Sequence, residues 1–236
     1  MPTFNSKEFL LEHISSIMSF YHPRCIDKVV GGFFQNFRDD GSVYDSKTRH
    51  LVSSTRFIFN YAMAAKEFKN SEYLDVAQHG IDYLRQFHLN SNTGGYAWIL
   101  NDKEIKDPTN YCYGLAFVLL AYSTSYKAGL SESKKYIDET FNLMEKYFWS
   151  EEAGLYCDEI SADWSHVFEY RGQNANMHSC EALIMAFEAT QEEKYLQRAL
   201  LVAGNICQRQ AKLADGLIWE HYDSDWKIDW SFNKDT

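Results

Sequence analysis

YGLAFVLLAY, residues 113–122, decides the fold. As a helix it has no polar face, so it must be covered on every side, and it is about half as long as a membrane span requires. LVSSTRFIFNYAMAA (51–65) and MHSCEALIMAFEA (177–189) are also apolar almost all round. Between and after these three run segments of another kind: NSEYLDVAQHGIDYLRQF (70–87), KKYIDETFNLMEKYF (134–148) and EKYLQRALLVAGNIC (193–207). In the first of them Leu74, Ala77, Ile81, Leu84 and Phe87 form one stripe, which is the pattern of a helix with one wet side. Buried helices alternating with amphipathic ones describe two layers, inner helices around an axis and outer helices shielding them.

A third element punctuates the pattern. A glycine followed by an aromatic or apolar run recurs at Gly31 (GGFFQNF), Gly94 (GGYAWIL), Gly154 (GLYCDEI) and Gly216 (GLIWEHY), about 60 residues apart each time, as a repeated supersecondary unit requires. Short β hairpins are expected near 31–45, 94–106, 154–166 and 216–228. The fold class is therefore all-α: an (α/α)6 barrel, or toroid, formed by a single domain over residues 1–236. A ring of six helix pairs takes roughly 370 residues at this repeat length. About four units are present, so the reading expects an N-terminal portion of a longer chain, truncated at its C-terminus.

The composition sets limits on function. With 45% apolar and 16% aromatic residues the chain can bury a large core. A net charge of −10 without charge blocks argues against nucleic acid or an anionic membrane as partner. The N-terminus lacks the basic and apolar regions of a secretory signal, and a cytoplasmic location is expected. Five cysteines without C-x-x-C spacing read as reduced core thiols.

Polar residues on the inner helices mark the candidate site. Arg56 and Asn60 interrupt the first, Tyr113 opens the second, and Asn174, His178 and Glu181 crowd the start of the third. In a barrel with parallel inner helices these positions converge at one mouth, where free N–H groups favour negative charge. Asn174, His178 and Glu181 share one helical side. The plain structural reading makes His178 a satisfied core histidine, Asn174 a cap, and Arg56 the partner of Glu181 or another carboxylate. A metal reading of His178-x-x-Glu181 lacks further ligands.

RHLVSSTRFIFNYAMA (49–64), YCYGLAFVLLAY (111–122), RGQNANMHSCEALIMAFEAT (171–190) and GLIWEHYDSDWKIDW (216–230) resemble successive signatures of the N-acylglucosamine 2-epimerase family. The resemblance runs through nearly the whole chain and implies the (α/α)6 fold. It implies a sugar epimerase or aldose-ketose isomerase, leaning toward the branch that acts on monosaccharides such as mannose. Arg56 would contact sugar oxygens at the reacting end and His178 would bind near the reactive carbons. Tyr113, Asn174 and Met177 match pocket residues, and Glu220 and His221 of IWEHYD join the expected substrate-binding set. The family's two acid/base histidines belong to later segments, so the 236 residues alone are expected to be inert. Leu115 departs from the His or Gln that many members carry, which leaves sugar preference open.

The implied chemistry is proton transfer at C2 through an enediolate, needing a near-neutral base and a positive group beside the developing oxyanion. Arg56 suits the second role. At a helix N-terminus His178 is expected to be neutral imidazole. The partner is a small sugar; no cofactor and no metal is called for, and a homodimer is admitted. Two other classes stay open. One is a glycoside hydrolase or lyase using Asp158, Glu159, Asp163 or Glu220, and the other a non-catalytic sugar-binding module.

Overall fold

The computed structural model describes residues 4–232. Seven long helices carry the architecture: α1 (Lys7–Tyr21), α2 (Leu51–Phe68), α3 (Ser71–Tyr83), α4 (Cys112–Ala128), α5 (Ser133–Tyr147), α6 (Gln173–Thr190) and α7 (Glu193–Gly204). Helices α2, α4 and α6 are the inner layer, with α4 packed between the other two. Helices α3, α5 and α7 shield them from outside, and α1 stands off α2 across a cavity of about 840 Å³. Among the described residues the count is three inner and four outer helices, where the repeat had suggested about four pairs.

Helix α4 shows why the quoted stretch carries so much. Every residue from Gly114 to Ser125 is buried. Each fully buried Leu, Val or Phe there contributes about 1.5–3 kcal/mol. The buried Ser123 and Thr124 hydroxyls bond back to the carbonyls of Leu119 (2.7 Å) and Leu120 (2.9 Å), so they carry no unmet polarity. Gly129, at φ +117°, ends the helix in a left-handed turn that an L side chain would strain. By contrast α5 buries one stripe, Ser133, Ile137, Thr140, Phe141 and Met144. Helices α2 and α6 differ from the all-round burial expected of them. Arg56, Asn60, Met63 and Glu67 stay exposed on α2, as do Asn174, Met177, Glu181, Ile184 and Glu188 on α6. Among the described residues each has an inner neighbour on one side only.

The inner helices run parallel. Near their starts Cys112 meets Ser179, and near their ends Lys127 bonds Glu188, so α4 and α6 share a direction. At the starts of α2 and α4, Gly114 lies against Leu51, and a Cβ there would come 2.8 Å from Leu51 Cδ2.

Among the described residues eleven short strands crowd around the N-terminal ends of the inner helices. They are β1 (Asn36–Phe37), β2 (Val43–Asp45), β3 (Thr48–His50), β4 (Ile99–Asn101), β5 (Glu104–Asp107), β6 (Asn110–Tyr111), β7 (Trp149–Ser150), β8 (Leu155–Tyr156), β9 (Glu159–Ile160), β10 (Arg171–Gly172) and β11 (His221–Tyr222). The hairpins β1–β2 and β4–β5 form where expected. The third and fourth expected hairpins reduce to single bridges, Ile160–Val167 and Tyr222–Ile228. Their strands are used elsewhere: β3 pairs with β4, β6 with β9 and β10 with β11. Each strand leading into an inner helix is thus tied to the following repeat, which brings the helix starts to a common mouth.

Among the described residues no helix is long and apolar enough to cross a membrane. The cysteines are free thiols; Cys25, Cys112 and Cys157 are buried, Cys180 is half-buried and Cys207 is exposed rather than in the core.

Candidate active site

Arg56, Tyr113 and His178 come from three helices and meet at one surface. Arg56 Nη2 donates to Tyr113 Oη at 3.4 Å, and its guanidinium lies over the Phe117 ring at 4.6 Å. The His178 imidazole stands edge-on to Tyr113 (centroids 5.1 Å apart) and tilted against Phe117 (4.8 Å). Two aromatic rings one turn apart on α4 therefore separate the cation from the imidazole and orient both. His178 is not sealed in the core: its side chain is 19% exposed.

The ion pairing differs from the plain structural reading. Glu181 Oε2 lies 2.9 Å from His178 Nδ1 and does not take Arg56. Arg56 is exposed, and its contacts are a phenol and an aromatic face, which leaves its charge directed at solvent or a ligand. Asn174 and Met177, on the same helix as His178, are exposed at the mouth. Among the described residues no group of three or more His, Cys, Asp or Glu side chains is placed to hold a metal ion.

Glu220 and His221 form a second, neighbouring cluster and do not join the Arg56–Tyr113–His178 group directly. His221 Nδ1 lies 2.8 Å from Tyr170 Oη, its ring stacks on Phe232 at 3.8 Å, and Glu220 approaches its Nε2 at 3.6 Å. Strand pairing of Gly172 with His221, and the bond from Gln173 N–H to Glu220 O (3.0 Å), bring this cluster to the first turn of α6.

Of the carboxylates of the hydrolase alternative, Asp158 helps to build the mouth. Asp158 Oδ2 accepts the Gly172 N–H at 2.7 Å, capping the start of α6. Burial pushes its carboxyl up to about 7, against the pull of that N–H and of Arg171. Burial also raises Glu159 above the ordinary range, with a bond from Tyr111 opposing. Asp163 is fully exposed and accepts from the Ser161 and Ser165 hydroxyls of its own turn.

Sequence reasoning passed over His50, Trp98 and Phe117. His50 caps α2, its Nδ1 accepting the Val52 N–H at 3.2 Å, so the neutral ring carries its proton on Nε2. Burial first and then the Arg56 charge hold His50 below the ordinary imidazole range. It stands edge-on to Trp98 with ring centroids 4.3 Å apart, and Trp98 reaches Tyr111 (4.4 Å) and Tyr113 (6.3 Å). Histidine is an uncommon cap, so helix-start patterns do not flag it.

Parallel inner helices and a shielding outer layer define an α/α toroid, with Arg56, Tyr113 and His178 gathered at the shared mouth of the inner helices. The sequence model of the N-acylglucosamine 2-epimerase family matches residues 32–236, and the chain belongs to that family. It is 58% identical over 234 residues to a D-mannose isomerase of Marinomonas mediterranea, covering 99% of this chain and 59% of that protein. The crystal structure of a D-mannose isomerase superposes with TM-score 0.97 at 58% identity, over 100% of this chain and 60% of that one. The cellobiose 2-epimerase of Bacillus thermoamylovorans superposes with TM-score 0.82 at 17% identity, over 93% of this chain and 61% of that one, a likeness of fold. The chain thus spans about three fifths of the length of these relatives.

Proposed function

We propose that this chain provides the sugar-binding face of an aldose-ketose isomerase or 2-epimerase, with mannose, fructose or glucose as the substrate type. One observation carries the reading: Arg56, Tyr113 and His178, spread over more than a hundred residues of sequence, stand around one aromatic floor with the Arg56 charge open to a ligand. The similarity to a D-mannose isomerase at 58% identity supports the choice of chemistry and of a monosaccharide.

Removing a proton from the carbon beside a carbonyl moves negative charge onto the carbonyl oxygen. A guanidinium held over Phe117 meets that charge with fixed donors and without titrating. Tyr113 offers a hydroxyl beside it, and His178 a ring nitrogen for a neighbouring sugar oxygen. The half-buried rings of Trp98 and Tyr111 suit the apolar C–H surface of a sugar.

The reading is tested by titrating residues 1–236 with mannose, fructose and glucose while following amide chemical shifts, then incubating the same sugars in D2O. Shifts confined to α2, α4 and the first turns of α6, lost in Arg56→Ala, are expected. Binding of none of the three sugars would overturn the reading. Deuterium entering beside the carbonyl with these residues alone would place the base among His178, His221 and the carboxylates present here.

A further inference from the structure

We infer that Glu181 is a positioning residue that holds His178 as its Nδ1–H tautomer, so that Nε2 is left open at the mouth as a hydrogen-bond acceptor. The inference rests on the sugar-site reading above for its purpose, and on geometry for its substance.

Glu181 Oε2 lies 2.9 Å from His178 Nδ1. An ionised carboxylate only accepts, so the ring nitrogen facing it has to donate. A neutral imidazole carries one proton, and with that proton on Nδ1 the other nitrogen keeps its lone pair. The ring cannot swing away to satisfy some other pairing, because Tyr113 meets it edge-on and Phe117 lies against it at 4.8 Å. Among the described residues Nε2 has no hydrogen-bond partner, and it is absent from the buried polar atoms left unsatisfied, so it reaches solvent.

The consequence is a matched pair of opposite polarity. Arg56 offers donors only, and His178 Nε2 offers an acceptor, on either side of Phe117. An α-hydroxy carbonyl presents the complement, an accepting C=O next to a donating O–H. His50, in the opposite tautomer, shows that the choice is not a property of histidine at this mouth: there a backbone N–H occupies Nδ1 and the proton goes to Nε2. At His178 the carboxylate three residues on reverses it.

Glu181 is more than half exposed, with 55% of its side chain accessible, so its replacement leaves the fold intact and the variants can be compared directly. The chain is labelled with 15N-histidine, and the ring resonances of His178 are assigned by their loss in His178→Asn. At about pH 8, where an ordinary imidazole is neutral, the wild-type ring is expected in the Nδ1–H form. Glu181→Ala is expected to return it to a mixture or to the Nε2–H form and to weaken mannose binding about tenfold, the effect of one mismatched hydrogen bond. Glu181→Gln, whose amide oxygen still accepts from Nδ1, should keep most of the tautomer and most of the affinity. An Nε2–H ring in the wild type, or a tautomer unmoved in Glu181→Ala, would overturn the inference. The expected tautomer in a protein that binds no sugar would support the assignment to Glu181 and overturn the sugar reading instead.

Discussion

Replacing Asp158 by asparagine should stabilise the protein at neutral pH and cost it about 1–2 kcal/mol in acid. The Asp158 carboxyl is buried behind the start of α6 and bonded to Gly172 N–H at 2.7 Å, and burial raises it from 3.8 to about 7. The folded chain therefore holds this proton more tightly than the unfolded chain. Below about pH 4 both states are protonated and nothing is lost. As pH rises toward 7 the unfolded state releases the proton first, so stability falls; above 7 the full penalty of an ionised buried carboxylate is in place. The three-unit gap corresponds to about 4 kcal/mol at most. Asparagine cannot ionise, and its oxygen still accepts from Gly172, but its amide needs an acceptor of its own, at about 1–2 kcal/mol. The net gain at pH 8 is about 2 kcal/mol, or roughly 4–8 °C in midpoint for a chain of this size. Thermal unfolding followed by circular dichroism at pH 4.5, 6, 7 and 8 measures it, and the difference between variant and wild type cancels every other titrating group. A midpoint difference that does not change with pH, or a variant less stable at pH 8, would refute the reasoning.

Three further outcomes follow from other sites. His88 is fully buried between Ala97 O (2.8 Å) and Ser54 Oγ (3.4 Å), and burial depresses it to about 4. Its neutral form stabilises the fold above about pH 6.5, and about 3 kcal/mol is lost as pH falls through 4, so urea midpoints should drop over that window and His88→Gln should flatten the drop. Arg56→Ala should weaken sugar binding by about 10- to 100-fold, the range for a charge-assisted hydrogen bond. Arg56→Lys should fail to restore it, because an ammonium does not reproduce the flat donor fork that lies over Phe117; full recovery in calorimetric titrations would count against the stacked geometry. Gly80→Ala puts a Cβ 2.5 Å from the Phe33 ring and 2.6 Å from Ile58 Cγ1, both buried, and should cost about 1–3 kcal/mol in denaturant unfolding.

How much of the site could be read beforehand varies with the kind of signal. Arg56 stood out because a guanidinium within an apolar helix has no local reason to be there, and His178 because three polar groups share one turn. His50 and Phe117 gave no such sign, one looking like any residue before a helix and the other like any core aromatic. Only the convergence of α2 and α4 makes Phe117 the ring between Arg56 and His178. The pairing of Glu181 was undecidable from spacing, since Arg56 and His178 were both plausible partners and only distance separates them.

Local and periodic information was enough for the layers. An all-apolar helix must be interior and a one-striped helix must be peripheral, and each statement concerns a single segment and the water around it. The pairing of strands was not of that kind. The glycine-led runs at 154–166 and 216–228 read as hairpins closed on themselves, yet β9 and β11 pair with β6 and β10 from about 50 residues away. A two-residue strand carries too little pattern to name its partner. That choice is made by the inner helices, whose packing brings their starts together and leaves each incoming strand beside the next repeat, and with it the mouth where Arg56, Tyr113 and His178 meet.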